Sequence, residues 1–243
     1  MANHKIVSRE QWLVARKEHL AKEKEFTRAR DALSSARREL PWTPVEKDYR
    51  FVGPNGEETL ADLFDGRSQL LVYHFMFGTD WDQGCKSCSF LADSYNGAVT
   101  HLAHRDVSMV TVSIAPLRKL EAFKQRMGWD FKWVSSEQSD FNRDFHVSFT
   151  DEERSNNTGF YNYRQSSFPM AEAPGISAFI KDADGQVFHT YSSYGRGLDM
   201  FITAYHLLDI MPKGRDENEL PYGMQWLRHH DRYDDPDVTD AIH

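Results

Sequence analysis

The chain reads as an α/β fold: a central mixed sheet with helices on both faces, a three-layer sandwich, behind an N-terminal helical arm and ahead of a C-terminal extension. Three features predict this. Segments 69–77 and 107–114 are near-continuous apolar runs of strand length, as expected of central strands covered on both faces. Each is followed by a segment with helical spacing, and such alternation builds a parallel sheet with helices packed on it. Near the end, two strand-like runs flank Asp182-Ala183-Asp184-Gly185, an antiparallel hairpin that makes the sheet mixed.

In chain order, Ser8 with Gln11 forms a capping box, and no Gly or Pro follows until Pro41. Phe26, Ala29, Leu33, Ala36 and Leu40 are spaced 3-4-3-4, one narrow apolar stripe on a long helix. Such a stripe suits either docking on its own domain or an arm that pairs with another subunit. Pro41-Trp42-Thr43-Pro44 ends the arm, so residues 1–41 form one unit. Tyr49-Arg50-Phe51-Val52 and Gly53-Pro54-Asn55-Gly56 read as a strand and a tight turn, and 60–64 as a short helical turn. Helices are expected from Lys86 to about Arg105, with Asn96-Gly97 as a kink, and from Leu117 to Met127. A short strand at 133–135 and a short helix at 141–145 follow. Segment 151–175 is polar, then rich in aromatics, and reads as an irregular insertion in a main domain spanning 42–211. Residues 198–210 read as an apolar-faced helix, and 212–243 as a polar C-terminal extension.

Composition narrows the function. With 40% hydrophobic and 13% aromatic residues the chain is globular. A net charge of −8 without a basic cluster speaks against nucleic acid and anionic membranes as partners. The first residues lack the apolar core of a signal peptide, and no stretch approaches the ~20 apolar residues of a membrane span. A cytoplasmic location is therefore expected. There a lone cysteine pair is redox-active or metal-binding more often than a structural disulfide.

Both cysteines of the chain fall in Cys85-Lys86-Ser87-Cys88, between the first apolar run and a helix. A helix N-terminus carries roughly half a positive charge, which favours thiolate over thiol. Cys85 is then the exposed, attacking thiol and Cys88 the buried, resolving one. Lys86 adds positive charge while Asp80 and Asp82 oppose it, so a moderately lowered Cys85 pKa is expected. The metal alternative rests on Cys85-x2-Cys88-x12-His101-x2-His104, close to a zinc-finger spacing. One unbroken helix would put His101 about 20 Å from Cys88, far beyond the ~2 Å reach of a ligand, so only a sharp break at Asn96-Gly97 would bring these four residues together. No Gly-x-Gly-x-x-Gly follows a strand, so neither a nucleotide nor a flavin cofactor is expected.

At these residues the chain resembles an uncharacterised bacterial family labelled predicted dithiol-disulfide oxidoreductase, a thioredoxin-like domain of unknown function. The resemblance rests on Tyr73-His74-Phe75-Met76-Phe77-Gly78, Gly84-Cys85-Lys86-Ser87-Cys88-Ser89-Phe90, Phe123-Lys124-Gln125-Arg126-Met127-Gly128-Trp129, Tyr191-Ser192-Ser193-Tyr194 and Arg228-His229-His230-Asp231, and covers almost the whole chain. It implies a thioredoxin-like sandwich. It also implies thiol–disulfide exchange, with Cys85 attacking and Cys88 resolving a disulfide-containing substrate, and an unknown reductant resetting the pair. Thioredoxins place an acid on the central strand for the resolving thiol's proton. The corresponding position is Tyr73 or His74, on opposite faces, and His74 is taken as the catalytic candidate.

Two departures bear on substrate. Residues 78–84 lengthen the loop before the cysteines, and Ile176 stands where thioredoxins have a cis-proline, with Pro174 two residues earlier. Trp81, Ile176 and Tyr161 are the candidate substrate contacts, the aromatic stretch 160–168 being a possible wall or lid. The expected activity is thus dithiol–disulfide oxidoreduction in a homodimer. The alternatives are a non-enzymatic thioredoxin-like assembly protein and a metal-binding protein using Cys85 and Cys88.

Overall fold

The computed structural model describes residues 4–166 and 168–235. The last eight residues of the C-terminal extension lie outside the described residues. The chain divides into two compact units between Pro41 and Trp42.

The first unit is helix α1 (Arg9–Arg38), opened by the expected capping box, in which Ser8 Oγ accepts from Gln11 N–H and the Gln11 side chain accepts from Ser8 N–H. None of its side chains is buried, and the stripe residues Phe26 and Leu33 are 70% and 62% exposed.

The second unit is built on β1 (Thr43–Pro44), β2 (Arg50–Gly53), β3 (Gly56–Thr59), β4 (Gln69–His74), α2 (Lys86–Tyr95), α3 (Val99–Ala103) and β5 (Val107–Ser113). The chain continues through α4 (Leu117–Arg126), β6 (Lys132–Ser135), α5 (Phe141–Asp144), α6 (Asp151–Asn156), β7 (Phe160–Tyr161), β8 (Arg164–Gln165), β9 (Gly175–Lys181), β10 (Val187–Tyr194) and α7 (Thr203–Leu208). Among the described residues, eight strands form one sheet in the order β1-β10-β9-β4-β5-β6-β2-β3. β4 runs parallel to β5 and antiparallel to β9, which pairs antiparallel with β10. With α2 crossing from β4 to β5, this is a thioredoxin-like core. β6 extends it, parallel to β5 and reached through α4.

Alternation along β4 sorts its side chains into two cores. Tyr73, with Phe75 beyond the strand, packs with α2, α4 and α7 through Leu91, Phe123 and Tyr205. Leu70 and Val72 join Phe64 and Phe141, from the turn Asp62–Phe64 and from α5, on the other face. The layers therefore lie on both faces, as expected.

Four segments differ from expectation. Segment 151–175 is not irregular: Thr150 and Glu153 form a capping box that starts α6, and β7 and β8 make a small hairpin turned by Asn162 and Tyr163, both with positive φ. Residues 198–210 do not form one helix, because a 3-10 turn over Gly195–Phe201 precedes α7. The expected kink at Asn96-Gly97 is a full break, a 3-10 turn between α2 and α3. The C-terminal extension is not merely polar tail: Leu227 and His229 are buried against the second unit's core.

Candidate active site

The loop 78–84 is pinned before it reaches the cysteines. Lys119 Nζ donates to the carbonyls of Thr79 and Trp81 at 2.9 and 2.7 Å, and Arg126 donates to Gln83 Oε1 at 3.0 Å. Two glycines are needed for this path. A Cβ on Gly78 would lie 2.8 Å from the Trp81 ring, and one on Gly84 would lie 2.6 Å from Phe75 and 3.0 Å from Phe123. Cys85 N–H then donates to Met76 O at 3.0 Å, stitching the loop end to the strand end.

Cys85 is the N-cap of α2, and its own carbonyl accepts from Ser89 N–H at 2.9 Å. Cys85 is not the exposed thiol expected: both cysteines are free thiols buried in an aromatic core, with 7% and 2% exposure, because the pinned loop and the Phe75 and Phe123 rings close over the start of α2. The Cys85 pKa is lowered to about 7. Its first cause is the hydrogen bond from the Cys88 thiol; the backbone N–H groups of Cys88 and Ser87 and the Lys86 charge add to it, while burial opposes. The Cys88 thiol is pushed well up by burial and by the adjacent Cys85. One sulfur thus ionises near neutrality while its neighbour keeps its proton, the asymmetry a dithiol needs.

The structure brings Tyr73, not His74, to this pair. Tyr73 donates from its hydroxyl to the Cys88 carbonyl at 3.3 Å and stands within hydrogen-bonding reach of the Cys88 thiol. Alternation sends His74 into the opposite core, where it stacks on Phe141 and Phe145 at 5.5 and 5.7 Å. Its Nε2 lies 2.8 Å from Ser177 Oγ, and burial lowers its pKa to about 3. A neutral, enclosed imidazole on the far side of the sheet does not serve Cys88.

The three expected substrate contacts are spread around the pair. Ile176 is 2% exposed in the same aromatic core as the cysteines. Its backbone stands between Tyr73 of β4 and Ser193 of β10, so an incoming peptide strand finds no free ladder edge there. Trp81 is half-buried against the cysteine core. Tyr161 is buried in a neighbouring cluster, where it donates to Pro174 O at 2.7 Å and accepts from Gly195 N–H at 2.9 Å. Of the aromatic stretch around it, Phe168 touches both that cluster and the cysteine core.

Sequence reasoning missed the pins. His229 Nε2 is 2.9 Å from Gly84 O, His230 Nδ1 is 2.8 Å from Asp93, and Asp231 takes two hydrogen bonds from Arg126 at 2.8 and 2.9 Å. The C-terminal extension is thereby tied to the cysteine loop. The Arg228-His229-His230-Asp231 run was a signal without a target, because its partners lie about a hundred or more positions away. Among the described residues, no group of three or more His, Cys, Asp or Glu side chains is arranged to hold a metal. No described helix is long and apolar enough to cross a membrane.

Residues 1–233 match the family described as bacterial protein of unknown function (DUF899), and the chain belongs to it. No curated protein sequence matches it. Among solved structures it is similar to peroxidoxin BcpB of Mycobacterium tuberculosis, at 15% identity and a TM-score of 0.45, covering 70% of this chain and 97% of that one. It is also similar to a peroxiredoxin Q structure from Xanthomonas campestris, at 14% identity and a TM-score of 0.43, covering 69% and 96%. A variant of PrxQ from Xylella fastidiosa aligns at 11% identity and a TM-score of 0.41, covering 68% and 94%.

Proposed function

We propose that this member of the DUF899 family is a thiol–disulfide oxidoreductase of a reducing compartment, with Cys85 attacking and Cys88 resolving. One observation carries the reading: Cys85 stands at the N-cap position of α2, with the N–H groups of Ser87 and Cys88, the Cys88 thiol and the Lys86 charge all favouring its thiolate.

In the forward step the Cys85 thiolate attacks one sulfur of a substrate disulfide. A Cys85–substrate mixed disulfide forms and the other substrate sulfur leaves as thiolate. Cys88 then loses its proton and attacks Cys85 Sγ, releasing the second substrate thiolate and leaving a Cys85–Cys88 disulfide. The substrate gains two electrons and the protein gives them up; an external thiol resets the pair. Tyr73 is the hydroxyl beside Cys88 during resolution. Its own pKa is raised well above the ordinary value, first by burial, so it acts as a hydrogen-bond donor that steadies the Cys88 thiolate.

The test is alkylation of Cys85 across pH, together with disulfide reduction by wild type and Cys85→Ser. A midpoint near 7 and loss of turnover in the variant are expected. Equal turnover in both proteins, or a midpoint above the free-cysteine value of ~8.5, sinks the reading.

The unburied α1 favours a second reading, an arm through which two copies associate. Light scattering of the full chain and of a form starting at Trp42 tests it. A monomeric full chain removes the homodimer.

A further inference from the structure

The geometry points to an anion subsite beside the dithiol, one that takes a carboxylate-bearing low-molecular-weight disulfide as substrate. It rests on the oxidoreductase reading and adds a substrate class to it.

A cavity of about 400 Å³ is lined by Asp82, Arg118, Lys119, Ala122, Phe123 and Arg126. Its position is the first argument. Asp82 lies three residues before Cys85, and the Phe123 ring, part of the cysteine core, closes on Gly84. A molecule held here by one end lies alongside the loop that delivers Cys85.

Charge is the second argument. Three cations and one carboxylate line the cavity in a chain whose net charge is −8. Arg126 is matched by Asp231. Lys119 is occupied by two neutral carbonyls, which direct its ammonium without cancelling its charge. Among the described residues, no carboxylate is paired with Arg118 or Lys119. A guanidinium matches the two oxygens of a carboxylate, and Arg118 on the first turn of α4 is placed to make that contact.

The third argument is what the site denies. The two cysteines are buried, and the Ile176 backbone is flanked by strands on both sides, so a folded protein finds neither an open sulfur nor a sheet edge. A small disulfide anchored through its acid group needs no sheet edge, and only a narrow opening at Cys85, which keeps 7% exposure.

Two chromogenic disulfides separate the outcomes: dithiobis(nitrobenzoate), which carries carboxylates, and dithiodipyridine, which is uncharged. In Arg118→Ala, kcat/KM for the first is expected to fall about tenfold, mostly in KM, with the second unchanged and Arg118→Lys recovering most of the loss. An equal effect on both probes overturns the subsite. A redox-dead Cys85→Ser/Cys88→Ser protein, titrated with dithiobis(nitrobenzoate) by calorimetry, reads the subsite without turnover. Binding that disappears when Arg118→Ala is added supports it, and absence of binding overturns it. If binding is present while wild type consumes neither disulfide, the subsite stands and the oxidoreductase reading falls.

Discussion

Tyr73 and His74 are neighbours on one strand, equally buried, and they do opposite work. On the Tyr73 face a hydroxyl meets a thiol pair whose two protonation states are pushed apart. On the His74 face four side chains form a hydrogen-bonded chain: His74 Nε2 is 2.8 Å from Ser177 Oγ, Ser177 Oγ is 2.7 Å from Ser192 Oγ, and Ser192 Oγ is 2.7 Å from His189 Nε2. One face leaves a reactive sulfur poised at a helix end; the other links its hydroxyls and two imidazoles between aromatic rings, with His74 Nδ1 buried and without a partner among the described residues. A titratable side chain in a core is thus a poor guide to chemistry until its face is known. What it touches decides whether it is reactive or structural.

The largest test of this contrast is His74→Ala. Removing a fully enclosed ring that stacks on Phe141 and Phe145 should cost about 3 kcal/mol in urea unfolding while leaving the pH midpoint of Cys85 alkylation where it was. A shifted midpoint in the folded variant would show that the two faces communicate and would break the comparison.

Acid and base responses sharpen it next. The His74 pKa is lowered from 6.5 to about 3 by burial, so below 6.5 the unfolded chain takes a proton that the folded one refuses. The stability tied to a neutral His74 is therefore present above pH 6.5 and lost as pH falls toward 3. Glu172 has the opposite sign. Buried, and accepting from Ser148 Oγ and Asn142 Nδ2, its carboxyl is raised from 4.5 to about 7, chiefly by desolvation. Its contribution is full below pH 4.5 and is lost as pH rises through 7. Glu172→Gln should flatten that second limb and gain on the order of 2 kcal/mol at pH 8. Unfolding curves at several pH values check both limbs, and an unchanged slope in the variant would remove Glu172 from the account.

Tyr73→Phe is a smaller change. It should cost about 1 kcal/mol for the lost hydrogen bond. Attack by Cys85 should be unaffected, while the mixed disulfide survives longer because Cys88 loses the donor that lowers its pKa. Rapid-quench mass spectrometry follows the intermediate, and an unchanged lifetime would leave Tyr73 a packing residue.

These contrasts also show what could be read before the fold was known. The apolar runs gave the central strands, and the cysteines at a strand–helix junction gave the site, because both signals are local. Choosing between Tyr73 and His74 was not local. Both suit a buried strand, and only the packing of α2 on the Tyr73 face decides between them. The loop pins were hidden for the same reason: Lys119, Arg126 and His229 reach residues 38, 43 and 145 positions away. The order in 151–175 was visible in part, since Thr150-x-x-Glu153 is a capping box.

The finest test weighs the causes of the Cys85 pKa against each other. The Cys88 thiol is the leading stabiliser of the Cys85 thiolate and Lys86 the least. Lys86 also donates to Gln225 O at 3.4 Å, which draws its ammonium toward the C-terminal extension. Cys88→Ala should therefore raise the alkylation midpoint of Cys85 by about one pH unit toward its ordinary value. Lys86→Gln should raise it by roughly half a pH unit or less, and that small rise should shrink further in high salt. If Lys86→Gln moved the midpoint more than Cys88→Ala, the thiolate would be held by a surface charge and not by its buried partner. The Tyr73 face would then lose the short-range hydrogen bonding that sets it apart from the His74 face.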